Sequence, residues 1–197
     1  MSAKFDPNTA QNAIEIEKQF AVKAVEHAQI YWNLLEKVNP KDLRLTKIDD
    51  EIFEHTMSEF PELNEAPYDK VTQLDEDWLK SAEGKKRWHK FISSYEKKVT
   101  DYNFGSLIRT DARGEYGEKN TIFVTRMQFY AFEIARNRLG LNDRAHELAK
   151  EEAAKEKAKA EKEKGKKKAN GSRDPNHHVT SIPNYRVIYS YDREDEL

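Results

Sequence analysis

Two acidic triplets in this 197-residue chain, Asp49 to Glu51 and Asp75 to Asp77, have the residue types for acid–base work or for holding a divalent cation. Both also sit where a helix should begin. A carboxylate there is favoured by the positive end of the helix dipole, so we read both triplets as capping. The six histidines are scattered, with no HExxH spacing. His27 falls on an apolar helix face and reads as a packed side chain, and His177–His178 lacks the companions that complete a metal shell. The seven glycines make neither GxGxxG nor GxxxxGK[ST], so no phosphate-cradling loop is visible. Ser93, Ser94 and Ser106 stand beside no recognisable base pattern. With no cysteine there is no disulfide framework, zinc ribbon, iron–sulfur site or thiol nucleophile. The expectation is a chain without catalytic residues, metal or cofactor, and not an enzyme.

Binding chemistry is better represented. Arg109, Asp111, Arg113, Tyr116 and Arg126 lie close in sequence to Glu133, Arg136 and Asn137, polar residues crowded where periodicity demands a core. Some should form an internal salt-bridge network, because arginine pairs bidentately with carboxylates. The rest could present a recognition surface with Tyr116 as an aromatic anchor. The client-binding set proposed on this reading is Arg109, Asp111, Tyr116, Arg126, Arg136 and Asn137. Further on, residues 162–168 hold five lysines, one glutamate and one glycine. Fully engaged on single-stranded RNA, five lysines would give a log–log salt slope of roughly −3.5. Aromatics that would stack on bases are absent from this run. Lys164, Lys166, Lys167 and Lys168 therefore suit loose contact with a polyanion such as ribosomal RNA; the alternative is a solvated spacer.

The elements that must position these groups follow from apolar spacing. Asn8 or Thr9 can cap a helix whose Ile16, Phe20, Ala24, His27, Ala28, Tyr31, Leu35 and Val38 repeat every three to four residues, up to Asn39–Pro40. A second set, Val22, Val25 and Trp32, widens the stripe, so this helix should be packed on more than one side. Thr46 with Asp49 imitates a capping box for a second helix that Phe60–Pro61 stops. Asp75 or Ser81 starts a third, in which Trp88, Ile92, Tyr95, Val99 and Tyr102 step by three and four until Asn103 and Gly105. The period then alternates at 106–112 and 120–126 around a loop with Gly114 and Gly117, which predicts a hairpin. Thr125 and Gln128 form a capping box for a fourth helix that Gly140 closes. Asn142 or Asp143 then caps a fifth, which runs into the lysine–glutamate stretch until Gly165 interrupts it.

Hydrophobic residues make up 37% of the chain and charged residues 36%, well above the usual quarter for charge, so part of it should never enter a core. Residues 1–149, 150–169 and 170–197 carry net charges of −4, +4 and −2. We expect an α+β fold: one mostly helical globular domain at 1–149 with a β-hairpin, a lysine/glutamate-rich arm and linker at 150–176, and a tyrosine-rich tail at 177–197. The tail places Tyr185, Val187, Tyr189 and Tyr191 on one side if extended. Ordering it costs roughly 1 to 2 kcal/mol per residue, and burying four such side chains returns roughly 1.5 to 3 each. It therefore needs a sheet edge. A two-stranded hairpin would gain a third strand from this tail or from Leu43–Arg44–Leu45. The longest apolar run is four residues, Phe129 to Phe132, and the opening MSAKFDPN has no apolar signal region, so a cytoplasmic, membrane-free protein is expected.

Several segments resemble one family in order. DYNFGSLIRTDA at 101–112, Glu115–Tyr116–Gly117, NTIFVTRMQFYAFEIARN at 120–137 and GLND at 140–143 resemble the polysaccharide biosynthesis domain-containing protein 1 family of eukaryotes. So do KFDPNTAQNAIEIEKQFAVKAVEHAQIYWNLLEKV near the start and LRLTKIDDEI at 43–52, close to the fungal members. The resemblance spans about residues 3–144. It implies a dedicated chaperone at the ribosome for the nascent GTP-binding domain of translation elongation factor 1-alpha, brought to the nascent chain with the nascent polypeptide-associated complex. Despite the family name, the sequence shows no site for sugar chemistry. The rival readings are an RNA-binding accessory protein acting through the lysine-rich arm, and an enzyme of carbohydrate biosynthesis.

For the tail, strand addition to the hairpin or to a partner's sheet predicts slowed amide hydrogen exchange at residues 185–191. Exchange at the unprotected rate throughout that stretch, with and without client, would refute strand addition.

Overall fold

Pro7 opens the first helix of the structure, a computed structural model that describes the backbone of residues 7–169 and the side chains of residues 18–163. This helix, α1, runs Pro7–Lys37, with the backbone of Asn8 and Thr9 already helical; their side chains lie outside the described residues. Ala24, Ala28, Tyr31 and Leu35 are buried along the expected stripe, and α1 packs against both α7 (Asp143–Ala169) and β1 (Gly105–Ile108), as its wide apolar face requires. Phe20 and Val22 stay exposed.

The second helix, α2 (Asp49–Glu59), packs on α6 (Arg126–Arg138). Its expected box is reversed. Asp49 reaches back to accept from Leu45 N (2.9 Å), Thr46 N (2.7 Å) and Thr46 Oγ1 (2.7 Å), so the carboxylate fastens the turn before the helix. Phe60–Pro61 ends α2, as the sequence predicts, and a short 3-10 turn at Pro61–Leu63 follows.

Next come two one-turn helices, α3 (Asp69–Thr72) and α4 (Glu76–Lys80), and then α5 (Ala82–Ser93). Both expected starts are used: Asp75 accepts from Trp78 N at 3.0 Å to cap α4, and Ser81 accepts from Gly84 N at 3.0 Å to cap α5. The helix expected to reach Tyr102 stops nine residues earlier. Ser94 Oγ donates to the Phe91 carbonyl at 2.6 Å, a local bond that competes with helix continuation, and the chain goes on in turns closed by Tyr95 N to Ile92 O and Lys98 N to Tyr95 O. Tyr95 still reaches the core beside Phe91, Trp88 and Phe60, where the Phe60 and Trp88 rings stack with centroids 4.2 Å apart.

The hairpin pairs β1 with β2 (Ile122–Thr125) antiparallel, Gly105 opposite Thr125 and Ile108 opposite Ile122. Ser106, Ile108 and Val124 are buried on one face, while Leu107 and Phe123 stand on the other. The ladder is shorter than 106–112 against 120–126 because side chains take over beyond it. Asn120 Oδ1 accepts from Asp111 N (2.7 Å) and Thr110 Oγ1 (2.8 Å), and its Nδ2 donates to the Asp111 and Glu115 carbonyls. Leu43–Arg44–Leu45 is not a strand. Residues 72–74 take that place: Leu74 N donates to Thr110 O and Ala112 N to Thr72 O, both at 2.8 Å, around a bridge between Gln73 and Asp111.

The capping box of α6 is complete, Thr125 N donating to Gln128 Oε1 at 2.9 Å and Gln128 N to Thr125 Oγ1 at 3.3 Å, and Gly140 follows the helix at φ 73°. Asn142 precedes α7 but turns its side chain into the core. The backbone of α7 continues through Gly165 to Ala169, since one glycine costs only about 1 kcal/mol against alanine in a helix otherwise made of good formers. The side chains of Lys164, Lys166, Lys167 and Lys168, and the whole tail with Tyr185, Val187, Tyr189 and Tyr191, lie outside the described residues. Among the described residues, no helix is long and apolar enough to cross a membrane. The result is a mixed α+β domain, mostly helical, with a two-stranded antiparallel sheet.

Thr125→Ala removes the reciprocal cap at the junction of β2 and α6 and should cost about 1 kcal/mol in urea-induced unfolding.

Candidate functional site

From α6, residues spaced three and four apart turn Glu133, Arg136 and Asn137 toward the hairpin and α1, while Arg109 enters from the residue after β1. All four are buried: Arg109, Glu133 and Arg136 are 0% exposed and Asn137 2%. Glu133 Oε2 accepts from Tyr31 Oη (2.7 Å), Asn142 Nδ2 (2.9 Å) and Arg109 Nη2 (3.1 Å), and Oε1 accepts from Arg136 Nη1 (2.7 Å). Arg136 donates further to the carbonyls of Val71 (2.9 Å), Arg109 (2.9 Å) and Thr110 (3.2 Å). Arg109 donates to the Ala112 carbonyl (2.9 Å) and Asn142 Oδ1 (2.7 Å).

Burial alone would raise the Glu133 pKa, but the two guanidinium groups outweigh it and, with bonds from Asn142 and Tyr31, hold it at about 2. The same burial, with Glu133 alongside, pushes the Tyr31 phenol well above its ordinary value. Two arginines against one glutamate leave an excess positive charge. It is spread over backbone carbonyls and the rings of Trp32 and Tyr116, whose centroids lie 5.6 and 5.7 Å from the Arg109 guanidinium carbon.

This arrangement corrects the recognition surface drawn from sequence. Arg109, Arg136 and Asn137 are buried and offer a client no surface, and most of their polar atoms are bonded inside. Asp111, Tyr116 and Arg126 keep partial exposure but stand in different places. Asp111 pairs with Arg113 at 2.9 Å in the loop. Tyr116 packs edge-on to Trp32 at 6.0 Å and donates to the Leu107 carbonyl at 3.4 Å. Arg126 lies at the far end of the ladder, donating to Ser106 Oγ at 2.9 Å, its guanidinium carbon 5.6 Å from the Phe104 centroid. Sequence reasoning missed Tyr31 and Asn142 as network members, having placed one in an apolar stripe and the other at a helix cap. The acidic triplets hold no metal-binding group among the described residues; Asp75 caps α4 as expected, whereas Asp49 is the first residue of α2 and fastens the turn before it instead of capping the helix.

Two surfaces remain on this frame. On one, Phe20 (48% exposed) meets Phe104 with centroids 5.3 Å apart, and Phe123 (59% exposed) lays its ring across Gly105, where a Cβ would sit 1.9 Å from a ring carbon. Only glycine admits that overlay. The other is a cleft of about 250 Å³ between α1, α7 and the hairpin loop, walled by Trp32 and Tyr116. Beside the first surface, His27 is half-buried against Phe129, and burial followed by the nearby Arg126 charge lowers its pKa to about 4.

These shifts predict an acid profile in two windows. Unfolded histidine near pH 6.5 binds protons that native His27 refuses until about pH 4, so stability falls as pH drops through that range. Native Glu133 stays ionised down to about pH 2, so a further part, roughly 3 kcal/mol, is lost between about pH 4.5 and 2. His27→Phe should flatten the first limb of a pH-dependent urea titration. Glu133→Gln should flatten the second and cost about 3 to 5 kcal/mol at neutral pH by leaving two buried guanidiniums without a counter-charge.

The family model described as PBDC1 protein matches residues 16–147. A PBDC1 homolog of Saccharomyces cerevisiae is 56% identical over 139 residues, covering 71% of this chain and 94% of its own. One from Schizosaccharomyces pombe is 56% identical over 143 residues, covering 73% and 96%. A solution NMR structure of a Saccharomyces cerevisiae protein superposes with a TM-score of 0.64 at 54% identity, covering 74% of this chain and 98% of that one. With the matched region taking in the whole buried network and the aromatic surface beside it, the chain belongs to the PBDC1 protein family.

Proposed function

We propose that this protein is a cytoplasmic, ribosome-associated chaperone that binds the nascent GTP-binding domain of translation elongation factor 1-alpha and shields it until it folds. The nascent polypeptide-associated complex brings it to the emerging chain. The reading is supported by the family resemblance and, on the molecule itself, by one observation: an exposed aromatic patch on a rigid frame. Phe20, Phe104 and Phe123 form neighbouring apolar surface at the rim of which Arg126 sits, the composition that protein interfaces favour. A folding intermediate offers apolar segments to such a patch, and the buried Glu133 network keeps the patch preformed, so little ordering entropy is lost on binding. Lys164, Lys166, Lys167 and Lys168 serve in this reading as a loose contact to ribosomal RNA.

The test is recovery of the tagged protein from cells with its bound nascent chains and RNAs sequenced. One dominant GTPase among the nascent chains is expected, and a broad set of RNAs without it contradicts the proposal. In a purified system, Phe20→Ser with Phe123→Ser should weaken binding of the unfolded GTP-binding domain by roughly tenfold or more while lowering the melting temperature by only several degrees, because each ring is already about half in water.

A further inference from the structure

The cleft between α1 and α7 has a character unlike the aromatic patch. Small residues let the helices approach, with Ala28 and Ala149 both buried where they meet. Trp32 and Tyr116 form its aromatic wall, and Glu36, Glu115, Glu152 and Glu156 stand around it. No lysine or arginine lines it. Among the described residues none of the four carboxylates is in an ion pair, and Glu152 accepts the Trp32 indole N–H at 2.8 Å. Arg109, buried and ion-paired with Glu133, lies on the inner side of these rings, its guanidinium carbon 5.6 Å from the Trp32 centroid.

An apolar groove ringed by carboxylates attracts a cation, and the spread of those carboxylates decides which kind. They do not converge into a group able to hold a metal ion. They suit a long side chain that lays a hydrocarbon stem on alanine and aromatic surface and carries its charge to the rim, as lysine and arginine do. The volume of about 250 Å³ matches one or two such side chains. This chain's own lysine run does not supply them. Lys162 lies on the same continuous helix as Glu156, about 9 Å farther along its axis, and cannot fold back onto it.

We propose that this cleft is a docking site for a lysine- or arginine-bearing segment of a partner polypeptide. The inference is independent of the client's identity and of the aromatic patch, which lies against Phe104 and β2.

The experiment uses the full chain and a fluorescein-labelled peptide of alternating lysine and serine, with the matching glutamate–serine peptide beside it. Anisotropy should report saturable binding of the lysine peptide only, and the indole N–H resonance of Trp32 should shift while those of Trp78 and Trp88 stay. Glu36→Gln, Glu115→Gln and Glu156→Gln together should weaken binding roughly tenfold or more. Removing the same number of exposed carboxylates elsewhere, with Glu54→Gln, Glu65→Gln and Glu96→Gln, should change it less than about threefold, in line with screened surface charge. Equal weakening by the two triple variants, an unmoved Trp32 resonance, or full displacement of the peptide by spermidine at equal charge would each overturn the proposal. Failure here leaves the chaperone reading intact, since that rests on Phe20 and Phe123.

Discussion

Glu133 is one carboxylate asked to hold two arginines that water never reaches. Taking such charges out of solvent costs several kcal/mol per ion, and that cost is offset to the extent that donors and acceptors find partners in good geometry. Here the partners are backbone as much as side chains, with Arg109 Nε and Asn137 Nδ2 left unpaired among the described residues. Arg136 fans across the carbonyls of residues 71, 109 and 110, and Arg109 across those of 112 and 114. These are the places where the chain leaves its short ladder and where strand partners run out. An isolated two-stranded hairpin is marginal. The guanidinium groups pair the carbonyls that the short ladder and residues 72–74 leave over, which supports a sheet of only four paired positions.

That substitution explains how polar residues came to be dense where a core was due. The apolar half of the interior, centred on Phe60, Trp88, Phe91 and Phe132, lies among α2, α5 and α6. The polar half joins α1, the hairpin and the start of α7. Both outward surfaces are borne on the polar half: the phenylalanine patch flanks β1 and β2, and the carboxylate-rimmed cleft opens where α1 meets α7. Their geometry is thus set by hydrogen-bond directions, which are stricter than contacts between apolar side chains.

How much of this the sequence discloses depends on how local the cause is. The Thr125–Gln128 box, the Asp75 and Ser81 caps, the αL residue at Gly140 and the hairpin all rest on neighbours within a few positions, and each is found where its residues predict. The end of α5 was illegible because the three-to-four spacing of aromatics continues past it; only the Ser94 hydroxyl, turned back to Phe91, distinguishes a helix from successive turns. The third partner of the hairpin came from residues 72–74, which have no strand pattern, beside the Val71 and Thr72 carbonyls that Arg136 holds. The division of the arginines into buried and exposed needed Tyr31, more than one hundred positions away from Glu133, and no periodicity carries information over that separation.

Asn142 has a consequence for shape. Its side chain is locked to Arg109, Glu133 and Asn137, and α7 springs from the next residue. Among the described residues the last buried position on that helix is Ala149; the backbone runs about 30 Å from there to Ala169, roughly the breadth of a small domain, with Glu152 still bonded to Trp32 of α1. The root of this helix is fastened in the interior through Asn142. A tilt of about 10° at the root would carry the far end through about 5 Å, so a small adjustment around one asparagine is magnified into a movement large enough for a neighbouring molecule to register.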